Sequence, residues 1–516
     1  MLNNLQKKLS EIIKYAVAII CFIIGILAFI ITVSFKVKLN DVTEICFTKI
    51  DNILFNLINV CICLSALYGF YKISDKINRK IVFAIAIIIS LILGFAWVNY
   101  MKFMPANDQL LMVYSADNLL NKTGDLVLRP GEYLNRYPHQ LGYIIYVMVV
   151  YKIFNLRSNM LILQNLNVIY SAINGIVLYF ICKELFKEEK VQKMSLLLIA
   201  LFSVLFWTFF DVHVYGNIPG LMFALIALLF TFKFLNNRKI YNLVIISISL
   251  GIAYLLKSNY EIFMIGVIAV LAFDIMKNSN IKYILGIIGI MLVVFVMKTS
   301  IYSIFEHNTN YSLNTGVPMI SYIYMGIAPG GVYPPGWYTG DVEVIYNESG
   351  FDKEESAEIT KPLLLDRLAY LVQHPIYTLK YFGEKLETTW LNPTFQVLWC
   401  STPGKQLDQD EEYKEYVEER PFIESILCGT GFNVVERILD AFQIIFFVSA
   451  GIGIYKFRKE EDLKFLLIPI IVIGGFVFHL IWETKAIYVI QYYYILIPFI
   501  AFGICEIFKV IEERKR

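Results

Sequence analysis

KIVFAIAIIISLILGFAWVNY (Lys80–Tyr100) is followed, four residues later, by PANDQLLMVYSADNLLNKTGDLVLRPGEYLNRYPHQL (Pro105–Leu141). The first stretch is apolar over the ~20 residues that a helix needs to cross a ~30 Å hydrocarbon layer. The second gathers Asp108, Asp117, Asp125, Arg129, Glu132, Arg136 and His139 within a short span. A membrane helix that opens directly onto a charged corner sets the pattern for the whole chain.

Of the 516 residues, 58% are hydrophobic and 17% charged, against about a quarter charged in soluble domains. Apolar runs recur at 12–34, 53–71, 80–100, 160–182, 194–210, 217–235, 240–256, 259–276, 281–300, 434–455, 463–482 and 486–508. The chain therefore reads as an all-α polytopic membrane protein, a bundle of about 12–13 transmembrane helices. The first run has no small-residue cleavage site and exceeds a signal-peptide core, so it reads as a retained helix. Lys and Arg collect at 1–14, 72–80, 183–193, 233–239, 277–282, 456–464 and 509–516. The positive-inside rule puts all of these on the cytoplasmic side only if the apolar piece 140–154 does not span. That piece then lies near the outer surface, as a juxtamembrane helix or partly inserted hairpin.

On this topology the outer face carries 101–159, the corners Asp211–Gly220, Lys257–Tyr260 and Trp482–Lys485, and one large extracytoplasmic loop, 301–433. All five histidines fall on or near that face. The organisation is an N-terminal transmembrane hairpin (1–79), a membrane module (80–300), the outer loop (301–433) and C-terminal helices (434–516). Within the loop, 313–346 is rich in Gly, Pro and Tyr and reads as turns. The part 356–391 reads as two surface helices broken at His374-Pro375. The eight cysteines lack metal-ligand spacing; Cys400 and Cys428, both in the polar loop, could pair. A net charge of +2 gives no reason to expect a nucleic-acid partner.

Several residues could carry chemistry. Asp108, just past a span, could accept the proton of an attacking hydroxyl; equally, it could cap the next helix. Arg136 and His139 flank Tyr137-Pro138, followed by Gln140; cations there suit a lipid phosphate, and solvated loop charge is the plainer reading. Lys257 ends a span, as a phosphate ligand or a snorkelling lysine. Glu483 and Lys485 sit at a membrane border near Tyr488, as part of the same site or as an interfacial ion pair. Phosphate-loop, dinucleotide, serine-hydrolase and zinc-protease motifs are absent from the sequence.

Asp108 early in an outer loop, then Arg136-Tyr137-Pro138-His139-Gln140 opening an apolar segment, resembles the GT-C membrane glycosyltransferases. The nearest branch is the protein O-mannosyltransferase and lipid A aminoarabinose transferase group (glycosyltransferase family 39-like). Met325-Gly326, Pro335-Gly336-Trp337-Tyr338, Trp390 with Pro393-Thr394-Phe395, and Trp482-Glu483 with Lys485 are similar to uncharacterised Gram-positive members of that group. His139 departs from the pattern, standing where a second proline is common.

The resemblance implies a GT-C-like bundle in the plasma membrane with an extracytoplasmic active site. It implies a polyprenyl-phosphate sugar donor and a glycan, glycolipid or protein acceptor. Asp108 takes the place of the catalytic carboxylate. Arg136, Lys257 and Lys485 are candidates for the donor phosphate, and His139, Tyr137, Gln140, Glu483, Trp337 and Tyr488 are further site candidates. No cofactor is implied, and metal dependence stays open. The rival readings are a lipid-linked sugar flippase or transporter, a polysaccharide polymerase or ligase, and a non-catalytic scaffold. A repeat-built transporter would show two halves of similar hydropathy; no internal repeat is visible.

Overall fold

The computed structural model describes residues 2–38, 41–102, 107–121, 125–156, 159–278, 282–331, 333–401, 418–427 and 429–515. Two helices open the chain, α1 (Leu2–Ile30) and α2 (Ile53–Ile73), followed by α3 (Arg79–Met101). Asn78 caps α3 by accepting from the Lys80 backbone N–H at 2.8 Å, and Lys102 ends it in the left-handed region at φ 43°. After α3 come α4 (Asp108–Leu120), α5 (Leu141–Phe154), α6 (Met160–Leu185) and α7 (Glu189–Phe202). The middle of the bundle holds α8 (Asn217–Asn237), α9 (Ile240–Leu256), α10 (Glu261–Asn278) and α11 (Lys282–Thr309).

Ten of the described helices are long and apolar enough to cross a membrane. A further apolar pair bent by 59°, Ala486–Ile495 followed by Ile497–Lys515, brings the number to eleven if it counts as one span. The remaining expected run, α9, has 17 residues. The chain is thus a multi-pass, predominantly helical membrane protein. At 14 residues α5 rises only ~21 Å, too short for a ~30 Å hydrocarbon core.

One element departs from the helical expectation. The first helix does not continue to residue 34; it stops at Ile30 and the chain becomes a β-hairpin, β1 (Ile31–Lys38) paired antiparallel with β2 (Asp41–Ile50). Its sequence ITVSFKVK alternates with period two, as a strand on a half-buried surface does. The hairpin lies against α16 (Thr430–Lys456). There Ser34 Oγ donates to Glu436, Thr32 Oγ1 donates to Asp440 at 3.4 Å, and Lys49 pairs with Glu436 at 3.4 Å. Two buried acids that would be costly in an apolar bundle thus acquire partners from a strand.

The large loop is more helical than its Gly/Pro content suggested. A short helix α12 (Met319–Ile327) forms within 313–346, and a second, α13 (Asp341–Glu348), begins there and runs two residues past its end. The expected break at His374-Pro375 separates α14 (Lys353–Gln373) from α15 (Pro375–Trp390). Cys428, the expected partner of Cys400, lies outside the described residues. The C-terminal elements after α16 are α17 (Lys464–Ile481), α18 (Ile490–Ile495) and α19 (Ile497–Lys515).

The basic loops gather on one face. Lys14 Nζ donates to the Glu460 carbonyl at 2.6 Å, Lys193 Nζ to Ser74 O at 2.8 Å, and Lys277 Nζ to Glu461 O at 2.9 Å, while Lys190 pairs with Asp75 at 2.8 Å. Residues from 107–156, 211–216, 257, 313–400 and 482–488 meet one another at the opposite end of the bundle.

Candidate active site

Asp108 is the first residue of α4, and the residue before it, Asn107, takes the cap position at φ 53° without a side-chain cap bond. The α4 helix is held in place by Gln109, whose Oε1 accepts from the Val214 N–H at 2.7 Å. That bond ties α4 to the corner between α7 and α8. From this corner Tyr215 extends toward the site, and Gln140 Nε2 donates to its hydroxyl. The Tyr215 ring lies under Lys257, with Nζ 3.9 Å from the ring centroid; Tyr488 brackets the same ammonium at 5.4 Å. Lys257 takes its position from the end of α9, which closes against Gly216. A Cβ at Gly216 would overlap the Leu256 carbonyl, so only glycine allows this approach.

From the far end of the chain come Glu483 and Lys485. Lys485 Nζ sits 5.1 Å from the Trp337 ring and 5.6 Å from Trp399, and Phe35 of the β-hairpin stacks on Trp337 at 5.0 Å. Tyr322, on α12, stacks on Trp482 at 5.8 Å and meets His139 edge-on at 6.3 Å. Asp108 and His139 are exposed, and Lys257, Glu483 and Lys485 are half-buried. Lys257 and Glu483 are the more enclosed of these groups. These side chains gather around one recess, which opens to solvent at Asp108 and His139.

The recess carries strong fields. Burial raises the Asp108 carboxyl above its ordinary range, against the pull of Lys257 and Lys485. Burial pushes Glu483 up to about 7, opposed by Lys485, Lys257 and Lys385. The same desolvation lowers Lys257 to about 8, with Asp108 and Glu483 working the other way. His139 falls to about 4 through burial, helped by Lys257 and Lys298, and is neutral at physiological pH. The side chains of Asp108, Lys257 and Glu483 make no hydrogen bond or ion pair with any described residue. Unpaired enclosed charges are costly, and clustered shifts of this kind are typical of functional sites.

Most of the residues singled out in the sequence meet here: Asp108, His139, Lys257, Glu483, Lys485, Tyr488, Trp337 and, through Tyr215, Gln140. Arg136 is placed differently from the free phosphate ligand expected of it. Its Nη1 binds Glu343 Oε2 at 2.7 Å, and Tyr137 Oη donates to Glu343 Oε1, also at 2.7 Å. Glu343 thus pins the Tyr137-Pro138 corner to α13, and the guanidinium is already neutralised. Among the described residues no group of three or more His, Cys, Asp or Glu is arranged to hold a metal ion.

Sequence reasoning passed over Tyr215, Tyr322, Glu343 and Lys385. Lys385 is 1% exposed, and its Nζ donates to Leu480 O at 3.0 Å, Trp482 O at 2.9 Å and Gly326 O. Gly336 O accepts from the Thr484 N–H at 2.8 Å. A Cβ at Gly326 would overlap the Ile481 and Trp482 backbone. The short motifs at 325–326, 335–338 and 482–485 are therefore one structural junction, and it holds Glu483 and Lys485 toward the recess.

Residues 138–299 match the family model described as dolichyl-phosphate-mannose-protein mannosyltransferase. This stretch, about a third of the chain, is similar to that family of membrane glycosyltransferases. The matched stretch contains His139, Gln140, Tyr215 and Lys257; Asp108 precedes it and Glu483 and Lys485 follow it. Among solved structures, the oligosaccharyltransferase of Archaeoglobus fulgidus in complex with Zn and sulfate is similar at a TM-score of 0.42 and 14% identity, over 84% of this chain and 50% of that one. The archaeal oligosaccharyltransferase from the same organism, in complex with an inhibitory peptide and a dolichol-phosphate, is similar at 0.42 and 14%, over 85% and 52%. The apo form gives 0.43 and 13%, over 84% and 52%. The chain spans about half the length of these structures. No curated protein matches the sequence.

Proposed function

We propose that the protein transfers a hexose or pentose from a polyprenyl-phosphate donor to a glycan, glycolipid or protein acceptor at the outer face of the plasma membrane. The observation that carries this reading is the recess, where an unpaired carboxylate, Asp108, faces two lysines from distant parts of the chain. In the reaction an acceptor hydroxyl forms a bond to the anomeric carbon as the bond to the phosphate oxygen breaks, with inversion. Asp108 receives the hydroxyl proton. Lys257 and Lys485 stabilise the charge that builds on the departing polyprenyl phosphate, and fixed cations in an enclosed site do this without reorganisation. Glu483 adds an opposing charge near the two lysines, and Arg136 acts through Glu343 to set the Tyr137 corner.

The matched family model, named for a lipid-phosphate sugar, supports the donor class. The clustering of basic loops at the other end of the bundle supports the outward orientation of the recess. Segments 80–300 and 301–433 then act together, as membrane module and outer loop. The direct test is incubation of the detergent-purified protein with labelled polyprenyl-phosphate hexoses and pentoses plus an envelope glycan fraction. Labelled product and free polyprenyl phosphate are expected. Movement of the lipid-linked sugar across proteoliposomes with its bond to phosphate intact would favour a flippase and refute the transferase reading.

The pH profile follows from the same groups. Ionisation of Glu483 near pH 7 should produce an acid limb in kcat/KM, and loss of the Lys257 proton near pH 8 an alkaline one. The expected profile is a narrow bell between them. Lys257→Arg keeps its charge at all accessible pH and should erase the alkaline limb even if the peak rate falls. An unchanged alkaline limb in that variant would remove Lys257 from the phosphate site.

A further inference from the structure

The outer-loop helices carry a second concave feature that the proposed chemistry does not use. Tyr324, Leu363, Asp366, Arg367, Tyr370 and Tyr377, from α12, α14 and α15, line a cleft of about 370 Å³ open to solvent. That volume is in the range of small-ligand sites. Arg367 is fixed within it. Its Nε donates to Ile327 O at 2.6 Å and its Nη2 to Tyr377 Oη at 3.0 Å, and the guanidinium packs against the rings of Tyr370, Tyr377 and Tyr381 at 5.5, 5.1 and 4.9 Å. No carboxylate neutralises Arg367 among the described residues, and its Nη1 has no hydrogen-bond partner there. Asp366 next to it is exposed and equally without a described partner. Tyr370 is 42% exposed.

The cleft therefore offers a rigid donor, a carboxylate acceptor and flat aromatic walls. A pyranose needs this combination: its hydroxyls both give and accept hydrogen bonds, and its C–H faces pack on aromatic rings. A lipid or free phosphate would meet the Asp366 charge. The cleft also adjoins the recess. Tyr322 and Tyr324 are two residues apart on α12 and so point to opposite sides of it; a helix with its side chains is ~10–12 Å across. One helix thus separates the cleft from the recess.

We propose that this cleft is a saccharide subsite, holding a neutral pyranose of the acceptor while a neighbouring sugar of the same chain reaches Asp108. The word acceptor rests on the transferase reading above; saccharide binding does not. The test is saturation-transfer NMR on the full-length, detergent-purified protein, with neutral tetrasaccharides of glucose, N-acetylglucosamine, mannose and galactose as probes. At least one should receive saturation from the wild type. Tyr370→Ala and Asp366→Asn, both at exposed positions, should each reduce it at least five-fold, and Tyr370→Trp should retain it. Asp108→Asn should bind the same probe as well as the wild type even if it transfers nothing. Failure of all four probes, equal signals in Tyr370→Ala, or competition by a synthetic Ser/Thr-rich peptide but not by sugar, would each overturn the subsite and leave the transferase reading to its own assay.

Discussion

Asp108→Asn should lower the transfer rate by about 10²–10⁴-fold, the usual contribution of a positioned general base, while the protein still folds and binds donor. The substitution separates the two roles that the sequence allowed. Asparagine caps helices as well as aspartate does, so a residue that only started α4 would tolerate it. The structure gives the cap position to Asn107, and the Asp108 carboxyl has no hydrogen-bond or ion-pair partner among the described residues. Asn fills the same space without a charge to desolvate, so thermal unfolding should stay at or slightly above the wild-type temperature. A second readout does not depend on turnover. The Asp108 charge raises Lys257 against the effect of burial; without it Lys257 should lose its proton at lower pH. Donor binding should then weaken at a lower pH in the variant than in the wild type. A variant with full activity and an unmoved binding profile would remove Asp108 from the site.

The sequence carried the helices well because ~20 apolar residues in a row have few alternatives: Lys80–Tyr100 was expected, and Arg79–Met101 forms. The β-hairpin was missed because Ile31, Val33 and Phe35 extend the hydrophobic run of α1, and the alternation with Thr32, Ser34 and Lys36 was hidden in that average. Within the site, Lys257, Glu483 and Lys485 stood out as charges at the ends of apolar runs, where burial makes charge expensive. Tyr215 and Tyr322 had no such signal in a chain with 34 tyrosines. Arg136 stood out for its place beside the Tyr137-Pro138 corner, but its partner Glu343 is 207 residues away, beyond anything local pattern can reach. Lys385 lies in the stretch read as surface helices and was passed over, and only tertiary packing reveals that three carbonyls surround it.

Lys385→Met should damage the protein more broadly than any change inside the recess. Methionine matches the length of the lysine stem and supplies no donor, so Gly326 O, Leu480 O and Trp482 O would lose their shared partner at once. Each buried carbonyl left unsatisfied costs ~1–3 kcal/mol, and three together exceed the ~0.5–3 kcal/mol of a typical single substitution. Two of these carbonyls lie at the C-terminal end of α17, where a cation also opposes the helix dipole. Their release would free the Trp482 corner and let Glu483 and Lys485 drift from the recess. The expected result is a lower unfolding temperature together with loss of transfer, whereas Asp108→Asn loses transfer alone. Stability should also change in its pH dependence. Burial holds Lys385 at about 7 in the folded state, below the ordinary 10.5. Between those values the unfolded chain binds the extra proton, so this group's contribution to stability rises with pH from about 7 to about 10.5 and is flat below 7. Unfolding temperatures measured from pH 6 to 9 should therefore climb less steeply above pH 7 in Lys385→Met than in the wild type. Equal unfolding temperatures and equal slopes in the two proteins would show that the junction does not depend on this ammonium.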